Sequence, residues 1–508
     1  MSSPRSGRQL VTRMVVHSFH DGESNVPYEK VLVFTSVARE GVCRKKVIDS
    51  DHRISKLQAM SKTFRPYDLS QLLLLPPDLR QWLPGGHLAL YVSDVVEALD
   101  LSAIMSSYEE GDLRGRPPYH PAMMVKLLIY GYCVGKMSSR KIERATYDDV
   151  GFRVLSCNQQ PDHDSIAEFR KRHQQELGQL FVQVLQLCQR AGLVKLGQVA
   201  IDGTKIKANA AKRHSLRYGR MSEVEKELEA EVARLLAAAQ QIDDQEDALY
   251  GKGKRGDELP VELRQRETRL AKIRELKAEL EREAKEAAAQ EQQEKESGDP
   301  GPHHYRRRKW TKSAAGEVIP RAKTQRNLTD PDSRLMMDTT TGNYVQAYNS
   351  QIAVDAEAQI IVAAKIVQAP NDQEQLLPRI KEVKANLGSR PEVVLADGAY
   401  FSSAVLSDET FAGIDLYVQP NEVEPMVTPS DGSVRAEMWQ KLKSPPGRAL
   451  YNRRKVIVEP VFAHIKHLRG FRQFLLRGLE KVEAEWLLIC LTHNLLKLFR
   501  VSKPLPAS

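Results

Sequence analysis

The stretch VAIDGTKIKAN, residues 199–209, decides how this 508-residue chain is read. An apolar run is closed by Asp202, turned by Gly203 and followed at once by Lys205, Lys207 and, a little further on, Lys212. The run predicts a buried strand that ends at Asp202. The same frame recurs as VVLADGAY, residues 393–400, where Asp397 and Gly398 close a second fully apolar run. Parallel strands of open α/β sheets present functional groups at their carboxyl ends. A carboxylate in that position is costly unless it is neutralised, and a hard divalent cation does so well. A lone aspartate after a strand is more often a turn or helix cap. Two in one frame weaken that reading, and the glycine lets the backbone turn sharply and approach a ligand. The lysines after Asp202 suit an anionic substrate drawn to the same edge.

A third carboxylate is expected, and YNRRKVIVEPVFAHIKHLRGFRQFLLR, residues 451–477, offers one. It holds seven Lys or Arg and a single acid, Glu459. Alone, Glu459 reads best as an ion-pair partner; among so many cations it also reads as a metal ligand whose neighbours hold phosphate. Pro460 predicts that Glu459 lies near a helix start, since proline is tolerated in the first turn. Lys466 follows Glu459 by about two helical turns, so both should share a face.

Outward from these blocks, YVQAYNSQIAVDAEAQIIVAAKIVQ reads as a β-hairpin, NDQEQLLPRIKEVKANLG as a helix ended by Gly388, and IDLYVQP as a further strand. The order strand, hairpin, helix, strand, helix, strand, helix predicts a mixed α/β sheet whose opening strand is cut off from its hairpin by an insertion. That insertion carries Val224, Leu228, Val232, Leu235, Ala239 and Ile242, then Leu263, Leu270, Ile273, Leu276 and Leu280, at three- and four-residue steps on either side of the breaker YGKGKRGDELP. It reads as an antiparallel helical hairpin of coiled-coil character, whose usual meaning is structural or oligomeric. After it, residues 303–326 hold eight Lys or Arg and one acid, with Tyr305 and Trp310 interleaved. Arg306, Arg307, Arg308 and Lys309 there favour nucleic acid modestly over a solvated loop.

Residues 60–190 read as an all-α unit. It comprises a helix from about His87 to Leu99, AMMVKLLIYGYCVG, SSRKIERATYDDVGFRVL, and SIAEFRKRHQQELGQLFVQVLQLCQRAG. Asp164 or Ser165 is expected to cap the last of these, with Glu168 closing a capping box. The cations of SSRK and EFRKRH suit a DNA-binding module or a solvated face about equally. Residues 1–59 show only one strand-like run, KVLVF, and read as an N-terminal extension, disordered or non-native, ahead of a start at Met60. The domain expectation is therefore 1–59 extension, 60–190 helical DNA-binding domain, 195–215 with 326–500 catalytic domain, and 216–325 helical insertion with basic loop.

Composition sets the outer limits. Net charge is +9 with pI about 9.1, so the placement of charge matters more than its total. The five cysteines form no CxxC pair, which argues against a disulfide framework or a Cys-based zinc site. No apolar run approaches membrane-spanning length and no signal-peptide core is present, which fits a soluble intracellular protein. No GxxxxGK[ST] phosphate loop is found.

Together, VAIDGTKIKAN, VVLADGAY and YNRRKVIVEPVFAHIK resemble the three acidic blocks of a bacterial insertion-sequence DDE transposase. The segments MSKTFRPYDLSQLLLLPPDLRQWLP and RPPYHPAMMVKLLIYGY…SSRKIERA…DHDSIAEFRKRH resemble that group's N-terminal domain. The resemblance spans about residues 60–500. It implies an RNase H-like fold and a catalytic, metal-binding triad of Asp202, Asp397 and Glu459 holding two Mg²⁺ or Mn²⁺ ions. It also implies nicking of element ends and in-line attack of the freed 3′-hydroxyl on target DNA, without a nucleotide cofactor or covalent protein–DNA intermediate. The family's third block spaces Tyr, two residues, Arg, three residues, Glu, six residues, Lys. Here Glu459 and Lys466 keep the last spacing, whereas Lys455 stands where the arginine is expected and Tyr451 is one residue too far away. Arg454 is the alternative arginine. DNA contacts are expected from Lys205, Lys207, Tyr451, Arg454, Lys455 and Lys466. The implied partners are double-stranded DNA (terminal inverted repeats and target) and a second copy of the chain, in a bacterial, nucleoid-associated setting without membrane. Rival readings are a nuclease of the same fold that cuts without joining, a DNA-binding regulator that has lost its chemistry, and a coiled-coil scaffold.

Overall fold

The structure is a computed structural model and describes residues 12–19, 28–35, 78–109, 117–250, 261–296, 310–338, 341–420 and 432–502. The basic run Arg306–Lys309, the hairpin breaker and the side chains of Ala239, Ile242 and Leu263 lie outside the described residues. The chain divides into two units, Met1–Leu75 and Pro76–Ser508. In the first, β1 (Thr12–Phe19) and β2 (Tyr28–Thr35, which includes KVLVF) pair antiparallel, from Thr12 opposite Thr35 to Phe19 opposite Tyr28.

The second unit opens with helices α1 (Leu88–Ala98), α2 (Ser102–Glu109), α3 (Pro121–Cys133), α4 (Ser139–Asp148), α5 (Val150–Leu155), α6 (His163–Arg172) and α7 (Gln174–Arg190). Helix α3 is buried on nearly every side, as its almost uninterrupted apolar sequence requires. The run SSRKIERATYDDVGFRVL forms two helices, and the run from Ser165 expected to be one helix is split. Asp149 ends α4 and caps α5, its Oδ1 accepting from the Gly151 and Phe152 amides at 2.9 and 3.4 Å. Residue His173 separates α6 from α7. The expected cap of α6 is also corrected. Asp162 is the N-cap and accepts from both the amide and the hydroxyl of Ser165, at 2.7 and 3.0 Å. That occupies Ser165, and Glu168 pairs with Lys171 instead of closing a box.

Strand β3 (Gln198–Lys207) follows, then β4 (Ser215–Arg217) and two long helices, α8 (Tyr218–Tyr250) and α9 (Val261–Glu296). Met221, Val224 and Leu228 of α8 bury against Leu270, Ile273, Leu276 and Leu280 of α9. Ion pairs flank that seam: Arg274 reaches Glu225 and Glu229, Lys277 reaches Glu225 and Arg266 reaches Glu231. Short strands β5 (Trp310–Lys312), β6 (Val318–Pro320) and β7 (Gln325–Asn327) return the chain; β5 pairs with β6, and β7 with β4.

The remaining strands are β8 (Arg334–Met337), β9 (Tyr344–Asp355), β10 (Ile361–Val367), β11 (Val393–Ala396) and β12 (Asp415–Val418). The sheet order is β10-β9-β3-β11-β12, with β8 also on β9; β3, β11 and β12 are parallel, and β8, β9 and β10 antiparallel to their neighbours. Helix α10 (Leu376–Leu387) ends at Gly388, whose φ of 72° is the left-handed cap that glycine adopts freely. Helices α11 (Ser403–Leu406), α12 (Val434–Lys443), α13 (Pro445–Ala463) and α14 (Leu479–Ser502) complete the unit. Helix α14 packs on both α7 and β10, so the helical block and the sheet share one hydrophobic core. Its buried Asn494 exchanges two 2.8 Å hydrogen bonds with the backbone of Ile361, satisfying part of the β10 edge.

Candidate active site

Strand β3 does not end at Asp202. It continues to Lys207 because β9 keeps pairing along its other side, from Asp202 opposite Ile352 to Lys207 opposite Ala347. What ends there is its parallel neighbour: β11 stops at Ala396, opposite Ile201. Asp202 thus lies mid-strand at the point where its neighbour runs out, and Asp397 is the first residue past that neighbour's end. The sequence frame was right about adjacency and wrong about which strand terminates.

The two carboxylates converge on one guanidinium. Arg454 places Nη1 3.2 Å from Asp202 Oδ2 and Nη2 3.8 Å from Asp397 Oδ1. The three side chains are 10, 22 and 50% exposed for Arg454, Asp202 and Asp397, so the cluster opens to solvent on the Asp397 side. Burial pushes the Asp202 carboxyl up to about 6; the Arg454 charge and the Gly203 amide pull against it, and the nearby Asp397 and Asp372 charges add to it. Asp397 also accepts from the Gly398 amide at 2.6 Å, capping a short 3₁₀ turn. The capping role and the paired role coexist.

Arg454 is there because α13 turns a stripe of Arg454, Ile457, Val458 and Val461 onto the sheet, and it is the only cation on that stripe. Tyr451, one turn earlier, faces the same group, 5.9 Å from ring to guanidinium, and burial raises its phenol above the usual range. Lys455 is exposed. Of the third-block residues that the spacing left open, Arg454 reaches the carboxylates and Tyr451 faces Arg454.

Glu459 does not sit near a helix start. Pro460 lies inside α13, where it cannot donate to the carbonyl of Val456. That carbonyl is instead satisfied by Gln359 Nε2 at 3.0 Å, which is how the helix tolerates the proline. A π-helical turn follows over His464–Leu468, so the two-turn count from Glu459 to Lys466 fails. Glu459 is exposed, and among the described residues no three His, Cys, Asp or Glu side chains lie close enough to hold a metal ion. The structure brings Asp202 and Asp397 together; it does not bring Glu459 to them.

The expected cationic contacts divide in the same way. Lys466 donates to Thr204 Oγ1 and, at 2.9 Å, to the Lys205 carbonyl, and burial lowers its ammonium. It therefore ties the π-helical turn that follows α13 to β3. Lys205 turns to the other face of the strand, 3.6 Å from Asp372. Lys207 is exposed, with its backbone held by Arg472 O and the Phe474 amide at 3.3 and 2.9 Å.

Asp372 was not singled out from the sequence. It accepts from Asn349 Nδ2 and Gln351 Nε2, each at 2.6 Å, behind Gly203. A Cβ on Gly203 would stand 2.2 Å from Gln351 Nε2 and 2.9 Å from Asp372 Oδ1, so the glycine is needed for close packing. Nothing in NDQEQ distinguishes Asp372 from an ordinary helix-start acid. Tyr400, past the end of β11, donates to Gln351 Oε1 and completes this buried network.

Two family models match the chain, one for a transposase domain (DUF772) over residues 77–172 and one for a transposase DDE domain over residues 420–499. Both matched models are transposase domains, so the N-terminal helical block and the C-terminal helices are similar to those of transposases, a class whose substrate is DNA. More narrowly, the chain resembles an insertion-sequence DDE transposase. The first match runs over α1 to α6 and the second over α12 to α14, including Arg454 and Glu459; the strands bearing Asp202 and Asp397 lie outside both. No curated protein and no solved structure matches. Among the described residues no helix is long and apolar enough to cross a membrane.

Proposed function

We propose that this transposase cuts DNA at element ends and joins the freed 3′-hydroxyl to target DNA, with Asp202 and Asp397 at the centre of the reaction. The observation that carries this reading is the convergence of the two carboxylates on a single cation at the half-open end of β11. The DDE match implies an RNase H-like fold, and the mixed sheet with β3 at its centre is compatible with it.

The donor set fits a hard divalent ion. Two carboxylates already share one positive charge, and both are oxygen ligands of the kind Mg²⁺ or Mn²⁺ takes. Asp202 and Asp397 would hold the metal, joined by Glu459, which has no ion-pair or hydrogen-bond partner among the described residues and an exposed side chain on the helix that carries Arg454. Bound there, a pair of ions supplies Lewis-acid activation of the attacking oxygen and stabilisation of the leaving one. The chain's own groups do the rest. Burial around Asp202 keeps water from screening the site, and Arg454 with Tyr451 supplies a positively charged, hydrogen-bonding wall beside the carboxylates. Lys466 fixes the turn after α13 on β3 and so fixes Arg454 over the aspartates. Lys207 and Lys455, both exposed, remain proposed phosphate contacts, together with Arg306, Arg307, Arg308 and Lys309.

The test separates cutting from joining. Duplexes carrying the inverted repeats that flank the gene, with one end pre-cleaved to a 3′-hydroxyl, should give Mg²⁺-dependent strand-transfer products. Nicking of intact ends without any joined product from the pre-cleaved end would favour a nuclease of the same fold.

A further inference from the structure

We infer that the outer edge of α9 in the helical insertion is a binding site for the phosphodiester backbone of duplex DNA, engaged beyond the residues that do the chemistry. The inference rests on the transposase reading and adds a surface which that reading does not assign.

Between Arg264 and Lys277, α9 carries six cations: Arg264, Arg266, Arg269, Lys272, Arg274 and Lys277. They fall into two sets. Arg266, Arg274 and Lys277 face α8 and pair with Glu231, Glu225 and Glu229 across the seam. Arg264, Arg269 and Lys272 make no ion pair with any described residue. They line, with Gln265, Thr268 and Leu328, a hollow of about 370 Å³ open to solvent. If the cations of α9 served only to zip the hairpin along the described seam, the outer set would have no reason to be basic, because Glu225, Glu229 and Glu231 of α8 are already matched by the inner set.

Geometry suits a polyanion. Arg264, Thr268 and Lys272 recur every four residues, so they align along one side of the helix over roughly 12 Å at 1.5 Å per residue. A duplex presents a phosphate about every 3.4 Å of axis on each strand, so that length meets several. The floor of the hollow extends the positive surface. Leu328 donates its amide to the His214 carbonyl at 2.9 Å, and the exposed Lys212 and Arg213 immediately precede His214 on the chain. Those two residues lie on the chain just beyond β3, the strand of Asp202. DNA held at the aspartates and DNA held at α9 are thereby linked through a short, rigidly hydrogen-bonded connection. Polar and cationic side chains with one apolar residue, and no acid among the described lining residues, match a sugar–phosphate backbone and not a base edge.

The test uses the full chain and a fluorescent 60-base-pair duplex of arbitrary sequence, titrated by anisotropy over a salt series. The triple variant Arg264→Gln, Arg269→Gln, Lys272→Gln should flatten the log–log salt slope by about two to three units, since each neutralised phosphate contributes about 0.9. The control, Arg266→Gln with Lys277→Gln, removes two cations already matched by acids and should leave the slope within about half a unit of wild type. Circular dichroism confirms that both retain helix. A triple-variant slope equal to wild type, or a control that flattens as much per cation removed, overturns the inference while leaving the transposase reading intact. Failure of the wild-type chain to bind duplex DNA at all would overturn both.

Discussion

The two faces of β3 each carry a carboxylate cluster, and they are built on opposite principles. On the face turned from α13, Asp372 accepts from two side-chain amides and lies beside Lys205, packed behind Gly203. On the face toward α13, Asp202 and Asp397 share one guanidinium, and the Nε of Arg454 is buried without a partner. The first cluster has its hydrogen bonds answered from within the fold, which makes it rigid and structural. The second holds two acids against one cation and opens on one side to solvent. It leaves charge for something from outside to compensate. A buried acid is therefore informative about chemistry only through what satisfies it.

The comparison can be broken most forcefully at Arg454. Arg454→Ala leaves two carboxylates facing each other and should cost about 3–5 kcal/mol at neutral pH, the scale for removing one partner of a buried pair. Urea unfolding measures it; a loss below about 1 kcal/mol would mean that the aspartates do not depend on that cation.

Next comes the cost of keeping Asp202 charged. Its folded-state carboxyl is raised from 3.8 to about 6, so between those pH values the folded protein holds a proton that the unfolded chain has released. The stability this group allows is full below pH 4, falls as pH rises to about 6 and stays low above it. Asp202→Asn removes that fall. In divalent-free buffer the variant should match wild type near pH 4 and exceed it by about 2–3 kcal/mol above pH 6. A variant less stable than wild type at pH 8 would contradict the assignment.

The opposite face is probed by Gly203→Ala. The added methyl meets Gln351 and Asp372, and a loss of about 1–3 kcal/mol is expected from overpacking. Thermal melts that coincide with wild type would show that this network yields easily. Smallest is Lys466→Ala, which removes two hydrogen bonds from the turn after α13 to β3 at a half-buried site and should cost about 0.5–1.5 kcal/mol in all. A wild-type melting curve would release Lys466 for the phosphate contact its spacing first suggested.

Much of the fold was legible because the signals were local. The runs of β9, β10, β11 and β12, the Gly388 stop and the α8–α9 heptad-like steps each depend on a few neighbouring residues. The pairing of Asp202 with Asp397 was legible as a repeated frame. The errors share a physical cause: they turn on partners far away in sequence. Nothing within VAIDGTKIK shows that β9 continues to pair beyond Asp202. Pro460 reads as a helix start until Gln359, about a hundred residues earlier, is seen to hold the Val456 carbonyl. The α6 cap moved by two to three residues because Ser165 serves as a donor to Asp162. Asp372 carries no local pattern at all, and Arg454 was left open because spacing cannot say which of two adjacent cations faces inward.

The most direct measurement is nicking of repeat-end DNA by wild type, Asp202→Asn, Asp397→Asn and Glu459→Gln, with end binding followed in parallel. Wild type should nick in Mg²⁺, and each variant should bind the ends with little change while nicking falls to background. Nicking retained in Glu459→Gln alone would remove that residue from the site. Mg²⁺-dependent nicking retained in Asp202→Asn or Asp397→Asn would contradict the carboxylate pair as the centre of the chemistry.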